Sequence, residues 1–195
     1  MSLPTDKNDI SIRPATSTDI PFLPGIESSA SAIFKSIPAL SFIASDSPLS
    51  TEDLENFLAS SHLWVATYKD PSSRRIPVAF LAARPIQTSN ADGNKPGSNH
   101  LYIAESSVHS SYQRRGIAKR LIAFVENYAR ENKFDGLTLI TFLDVPWNGG
   151  FYQNLGFEEV DAEHLGEDYI SMLKEEREKW KDLGTWRRGA MLKRF

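Results

Sequence analysis

Between Val108 and Lys119 the chain reads VHSSYQRRGIAK, and these residue types at this spacing point to the binding of an anion. A stretch with strand character ends at His109, and a long apolar stripe of helical period follows from Gly116. A strand-to-helix turn at that place aims unpaired backbone N–H groups and the positive end of a helix at one point in space. Gly116 lets a phosphate approach the backbone closely, and Arg114, Arg115 and Lys119 add charge-assisted donors. Neither a GxxxxGKS/T loop nor a GxGxxG fingerprint is present, which argues against nucleoside triphosphates and dinucleotides. On local physics alone, a helix start carrying a solvated basic pair accounts for the same residues equally well. There is no cysteine, so disulfides, thiolate zinc sites and cysteine nucleophiles are excluded.

The elements around this turn follow from pattern. Ile10 and Ile12 alternate with polar residues as a short first strand, and the 19–42 segment, broken by Pro24 and Pro38, reads as one or two short helices. Ser50-Thr51-Glu52-Asp53 opens a helix running to Ser60, with a hydroxyl cap and acids at its positive end. The 62–68 and 76–83 segments read as paired strands, and residues 86–99, rich in turn formers, as a mobile surface loop. A strand over 101–109 precedes the turn. The helix after it, 116–132, carries Ile117, Leu121, Ile122, Val125, Tyr128 and Ala129 on one stripe. Leu137–Phe142 reads as a buried strand, followed by a short helix that Gly156 closes and a strand from Phe157. The helix over 167–180 has a narrow apolar face, which predicts a surface position, and 187–195 supplies a closing strand. This order predicts an α/β class of α+β mixed-sheet type, with helices on both faces.

A chain of 195 residues fits one domain with a sizeable core, here residues 10–195 behind a flexible tail at 1–9. A hydrophobic fraction of 41% and a charged fraction of 24% are ordinary for a soluble globular protein and indicate neither a disordered nor a membrane class. The net charge of −3 argues against a non-specific nucleic-acid binder, whose broad basic face would displace counterions. Residues 1–9 lack the apolar run of a signal peptide. A soluble, cytoplasmic protein without nucleic-acid or membrane partners is expected.

Gln113-Arg114-Arg115-Gly116-Ile117-Ala118 resembles the Q/R-x-x-G-x-G/A pyrophosphate loop of the GNAT acetyltransferases, and Val108-His109 resembles the end of that family's fourth strand. Phe151-Tyr152-Gln153-Asn154-Leu155-Gly156-Phe157 is similar to the family's Y-x-x-x-G-F signature, at the expected distance beyond the fifth strand. The two motifs in this order are far more specific than either alone. Ala118 stands where many members carry Gly. An Asn usual seven residues before the Tyr is replaced by Val145, with Asn148 three residues later.

The resemblance implies a GNAT fold with a central six- to seven-stranded sheet, and acetyl-CoA as co-substrate with no metal. It implies contacts to that co-substrate from Val108, His109, Gln113, Arg114, Arg115, Gly116, Ile117, Ala118, Lys119, Asn148 and Tyr152. An acceptor amine would attack the thioester directly. An alkyl ammonium of pKa ~10.4 is neutral only about one part in 10³ at pH 7, so a general base is called for. Glu105, which shares a strand face with residues 103, 107 and 109, is the candidate base, with His109 acting through water as a lesser one. Tyr152 is the candidate general acid, and the Val108 N–H the oxyanion donor. Asp144 is a candidate for binding a cationic substrate, and Phe34, Phe42, Trp147 and Trp180 for lining the acceptor pocket. Each of these residues also has an ordinary structural reading. The acceptor expected is a small molecule; a protein or peptide amine, or a non-catalytic acyl-CoA sensor, are the alternatives, in a monomer or homodimer. A nucleic-acid surface of Arg114, Arg115, Lys119 and Arg120 is the competing class.

Overall fold

The computed structural model describes residues 9–88, 97–180, 183 and 185–195. Among these, strands β1 (Ile10–Pro14), β2 (Leu63–Lys69), β3 (Arg75–Gln87), β4 (Asn99–Val108), β5 (Gly136–Phe142), β6 (Glu158–Val160) and β7 (Arg188–Arg194) form one mixed sheet. Their order is β1-β2-β3-β4-β5-β7-β6, with β4 and β5 parallel and β7 antiparallel to both its neighbours. The helices are α1 (Leu23–Ser31), α2 (Thr51–Ala59), α3 (Ile117–Glu131), α4 (Gly149–Gln153) and α5 (Glu167–Lys179). The chain divides into two compact units, one formed by residues up to Ala83 with Glu105–Val125, the other by Arg84–Ala104 with Glu126–Phe195.

In the first unit, Leu23 and Ile26 of α1 and Leu54 of α2 bury themselves against Leu63, Val65, Phe80 and Ala82 of β2 and β3. Pro24 falls in the first turn of α1, where a missing N–H costs nothing, so it starts a helix instead of breaking one. The chain then runs through two 3-10 segments, Ala32–Ser36 and Pro38–Ser45, with Leu40 fully buried. Ser50 and Asp53 form a reciprocal capping box at the start of α2, with Ser50 Oγ accepting the Asp53 N–H at 3.0 Å.

The second unit packs α5 against β5 and β7. Helix α5 lies at the surface, as its narrow apolar face predicts, with eight of its 13 residues exposed and only Tyr169 and Leu173 buried. Tyr169 is 0% exposed, and both join Ile86, Tyr102, Ile140, Ala190 and Leu192 in one core. A narrow stripe suffices because the Tyr169 hydroxyl has a partner inside, Thr138 Oγ1 at 2.7 Å. The closing strand also takes a central place between β5 and β6, since Ala190, Met191 and Leu192 are buried in succession. Strand β3 extends to Gln87, beyond the expected end at Ala83, with Ile86 buried and the exposed Arg84 lying 5.5 Å over the Tyr102 ring. The core of the expected surface loop, residues 89–96, and the tail at residues 1–8 lie outside the described residues. Gly149 opens α4 directly over the Leu143 backbone, where any Cβ would collide. Gly156 ends that segment at φ +87, as the sequence implied. No helix among the described residues is long and apolar enough to cross a membrane.

Candidate functional site

The turn between β4 and α3 lies in the first unit and is built as the sequence suggested. The His109 N–H donates to the Val78 carbonyl at 2.9 Å, and the Gln113 side-chain amide donates to the Val108 carbonyl at 3.1 Å. His109 Nδ1 accepts the Ser111 N–H at 3.2 Å and so caps the 3-10 turn Ser110–Tyr112. That bond gives His109 a positioning role in the turn.

Two residues then take left-handed backbone conformations, Arg114 at φ +60 and Gly116 at φ +74. For Arg114 this costs on the order of 1 kcal/mol, which marks a turn whose shape is imposed by its surroundings. Around Gly116 no atom lies within 4 Å of where a Cβ would stand, so the space beside its backbone is open. The Arg120 N–H donates to the Gly116 carbonyl at 3.1 Å, and the N–H groups of Ile117, Ala118 and Lys119 precede that first helical bond.

The basic side chains are not equivalent. Arg115 is laid across the turn, with Nη2 on the Ser111 carbonyl at 3.0 Å and its guanidinium 5.3 Å from the Tyr112 ring centroid. Arg114 and Lys119 are exposed beside it. Arg120, also exposed, donates to the Ile10 carbonyl of β1 at 2.9 Å. Open space at Gly116, helix-end N–H groups and two exposed cations are a donor set that fits a diphosphate.

In the same unit the structure adds a residue that sequence reasoning missed. Glu27 of α1 accepts the Leu49 N–H at 3.1 Å and interacts with the carboxylates of Glu105 and Asp46. Burial, then the like charge of Glu105, push the Glu27 carboxyl up to about 8, against the lowering effect of the Leu49 N–H. Glu105, the expected base, accepts the Ser106 N–H at 3.0 Å and the Ser107 hydroxyl at 2.7 Å. The signal available in the sequence was thin: a single acid in the helix LPGIESSAS, next to the core residue Ile26. No group of three or more acids or histidines placed to hold a metal occurs among the described residues.

The second unit carries the other motif. Tyr152, half-buried in α4, lies edge-on to Phe151 and Phe157 at centroid distances of 5.1 and 5.6 Å. Asn148 stands at the N-cap position of that helix without a side-chain capping bond, and its amide donates instead to Thr141 Oγ1 of β5 at 3.0 Å. Asp144, a candidate for substrate binding, is instead held by Arg187 through a bond of 2.9 Å, and Arg187 also reaches Glu159. Hydrogen bonding to that guanidinium keeps the Asp144 carboxyl below its ordinary value. Trp180, expected near an acceptor, stacks on Phe142 with the Arg188 guanidinium against both rings. Of the other aromatics named for the acceptor, Phe42 is 40% exposed, while Phe34 and Trp147 are half-buried.

Sheet order, parallel β4–β5 pairing and a phosphate-type turn between β4 and α3 define a protein of the GNAT fold. The model of the "Acetyltransferase (GNAT) family" matches residues 32–157, and the chain belongs to that family. Solved structures with the same fold include the NatC complex bound to Gag peptide and CoA, with 17% identity, a TM-score of 0.63, and 96% of this chain and 99% of that chain covered. The PaiA N-acetyltransferase of Thermoplasma acidophilum, solved with coenzyme A, is 16% identical at a TM-score of 0.60 over 95% of this chain and 99% of that one. The ribosomal-protein-S18-alanine N-acetyltransferase of Escherichia coli is 16% identical at a TM-score of 0.59, covering 95% and 93%.

Proposed function

We propose that the chain is an acetyl-CoA-dependent N-acetyltransferase whose acceptor is a primary amine, arriving as an ammonium ion. Acetyl-CoA, when bound, supplies the acyl group as a thioester. The first-turn N–H groups of α3, with Arg114, Arg115, Gly116 and Lys119, hold its diphosphate. Gln113 secures the end of β4 by binding the Val108 carbonyl, and the Val108 N–H is the proposed donor to the acyl oxygen.

The carboxyls of Glu27 and Glu105 take the ammonium proton. The observation that carries this reading is their meeting in the unit that also holds the anion-binding turn, with one of them titrating at about 8. A base of that pKa is matched to proton transfer near neutral pH, where a free carboxylate is too weak. The negative charge of Glu105 and Asp46 also attracts a cation to the same place. Tyr152 is the proposed acid for the leaving thiolate, and Asn148 the residue that holds the start of its helix to β5.

The acceptor expected from the sequence is a small molecule. The solved relatives include one bound to a peptide and one named for a ribosomal-protein alanine, so the test panel must span both. Calorimetry with CoA should show saturable binding, and a thiol-release assay should show turnover with at least one amine among polyamines, amino acids, aminoglycosides and peptide N-termini. Absence of CoA binding overturns the reading. Binding without turnover on any acceptor replaces it with the acyl-CoA sensor.

A further inference from the structure

We infer that Ser29 couples helix α1 to the cofactor turn, so that filling the turn positions Glu27; the inference rests on the acetyltransferase reading. Ser29 Oγ lies 2.7 Å from Ser110 Oγ and accepts the Ser110 N–H at 3.1 Å, joining residues 81 positions apart in sequence. Ser110 opens the 3-10 turn that His109 caps, and the next residue, Ser111, offers the carbonyl that holds Arg115. On the other side, Ser29 stands two residues after Glu27 on the nine-residue helix α1. Glu27 in turn fixes the Leu49 N–H, at the end of the segment that follows the second 3-10 stretch.

Hydrogen bonds, the Ser110–Ser111 backbone and helix α1 together link Arg115, through Ser111, Ser110 and Ser29, to Glu27 and Leu49, all inside one unit. Ser110 is exposed and Ser29 half-buried, which makes their bonds poor sources of fold stability but adequate carriers of a difference between filled and empty turns. By linkage, an amine held at Glu27 tightens CoA binding by the same factor as CoA tightens the amine.

The test compares CoA binding by calorimetry, and amide exchange of α1 with and without CoA, in wild type, Ser29→Ala and Ser29→Thr. Loss of one such hydrogen bond should weaken CoA binding about 3- to 10-fold in Ser29→Ala. CoA should slow exchange over Leu23–Ser31 in wild type and not in that variant. Ser29→Thr, which keeps the hydroxyl, should behave as wild type. Ser110→Ala removes the hydroxyl pair but keeps the Ser110 N–H on Ser29 Oγ, so it should lose less than Ser29→Ala, and the double variant should lose no more than Ser29→Ala alone. The coupling is overturned if Ser29→Ala binds CoA as wild type does with α1 still protected, or if Ser29→Thr loses as much as Ser29→Ala. A wild type that fails to bind CoA sinks the enzyme reading itself, which is a different result.

Discussion

Glu27 carries a carboxyl whose burial and proximity to Glu105 leave it mostly protonated at neutral pH, until a cation arrives to favour the charged form. The kcat/KM for an amine should therefore rise with pH through about 8, well below the limb expected from the amine itself at ~10.4. In Glu27→Gln that limb should vanish, with a loss of about 10²-fold or more at its plateau. Glu105→Gln removes a like charge from beside Glu27, so the surviving limb should move to lower pH. A Glu27→Gln profile that keeps its limb near pH 8 would remove Glu27 from the chemistry. For Tyr152, Phe substitution isolates the hydroxyl: turnover should fall at least about 10-fold with the CoA affinity unchanged, and a change under twofold at every pH would end its role as acid. The contrast between these residues explains what was readable in the sequence. Gly116, Arg114 and Tyr152 belong to contiguous motifs, in which neighbours in sequence are neighbours in space. Glu27 acquires its character from Glu105 and Leu49, 78 and 22 positions away, and no local pattern carries such a pairing.

At the scale of elements, the strands and helices that local physics dominates were legible to within a few residues. The capping box of α2, the apolar stripe of α3 and the continuous burial of β5 are all written in adjacent positions. Helix α5 was legible in its bounds, but not the buried hydroxyl pair that helps to fasten it, Tyr169 with Thr138, because those residues stand 31 positions apart. The energetics of that pair are asymmetric. Tyr169→Phe leaves the fully buried Thr138 hydroxyl without its partner and should cost about 1–3 kcal/mol in urea unfolding. Thr138→Val should likewise strand the Tyr169 hydroxyl, whose burial pushes its pKa up to about 12. The double variant, Thr138→Val with Tyr169→Phe, removes both groups and should recover most of either loss. Additive losses in the double variant would mean that the two hydroxyls do not depend on each other.

For the whole molecule, each of the two units encloses a histidine that burial holds below its ordinary pKa, His62 in the first and His100 in the second. His100 is 5% exposed, and its Nδ1 has no hydrogen-bond partner, so the neutral ring is the form the fold accepts. Asp135 opposes the depression without reversing it, and Arg194 adds to it. Lowered folded pKa values mean that the unfolded chain binds protons first as pH falls. Stability is therefore present above the unfolded value of ~6.5 and lost progressively below it, ahead of the range in which most carboxylates titrate. Glu27 acts at the other end: its raised pKa gives stability that is complete below pH ~4.5 and lost as pH rises through about 8. The melting temperature should thus peak between these limbs and fall on both sides. His62→Gln with His100→Gln should flatten the loss below pH ~6.5, and Glu27→Gln should flatten the loss that is complete by about pH 8, while steepening the acid limb that Glu27 opposes between pH ~4.5 and ~6.5. Were the double histidine variant to track wild type through the acid limb, the loss there would belong to paired carboxylates such as Asp19 and Glu126, whose depressed pKa values place their contribution lower in pH.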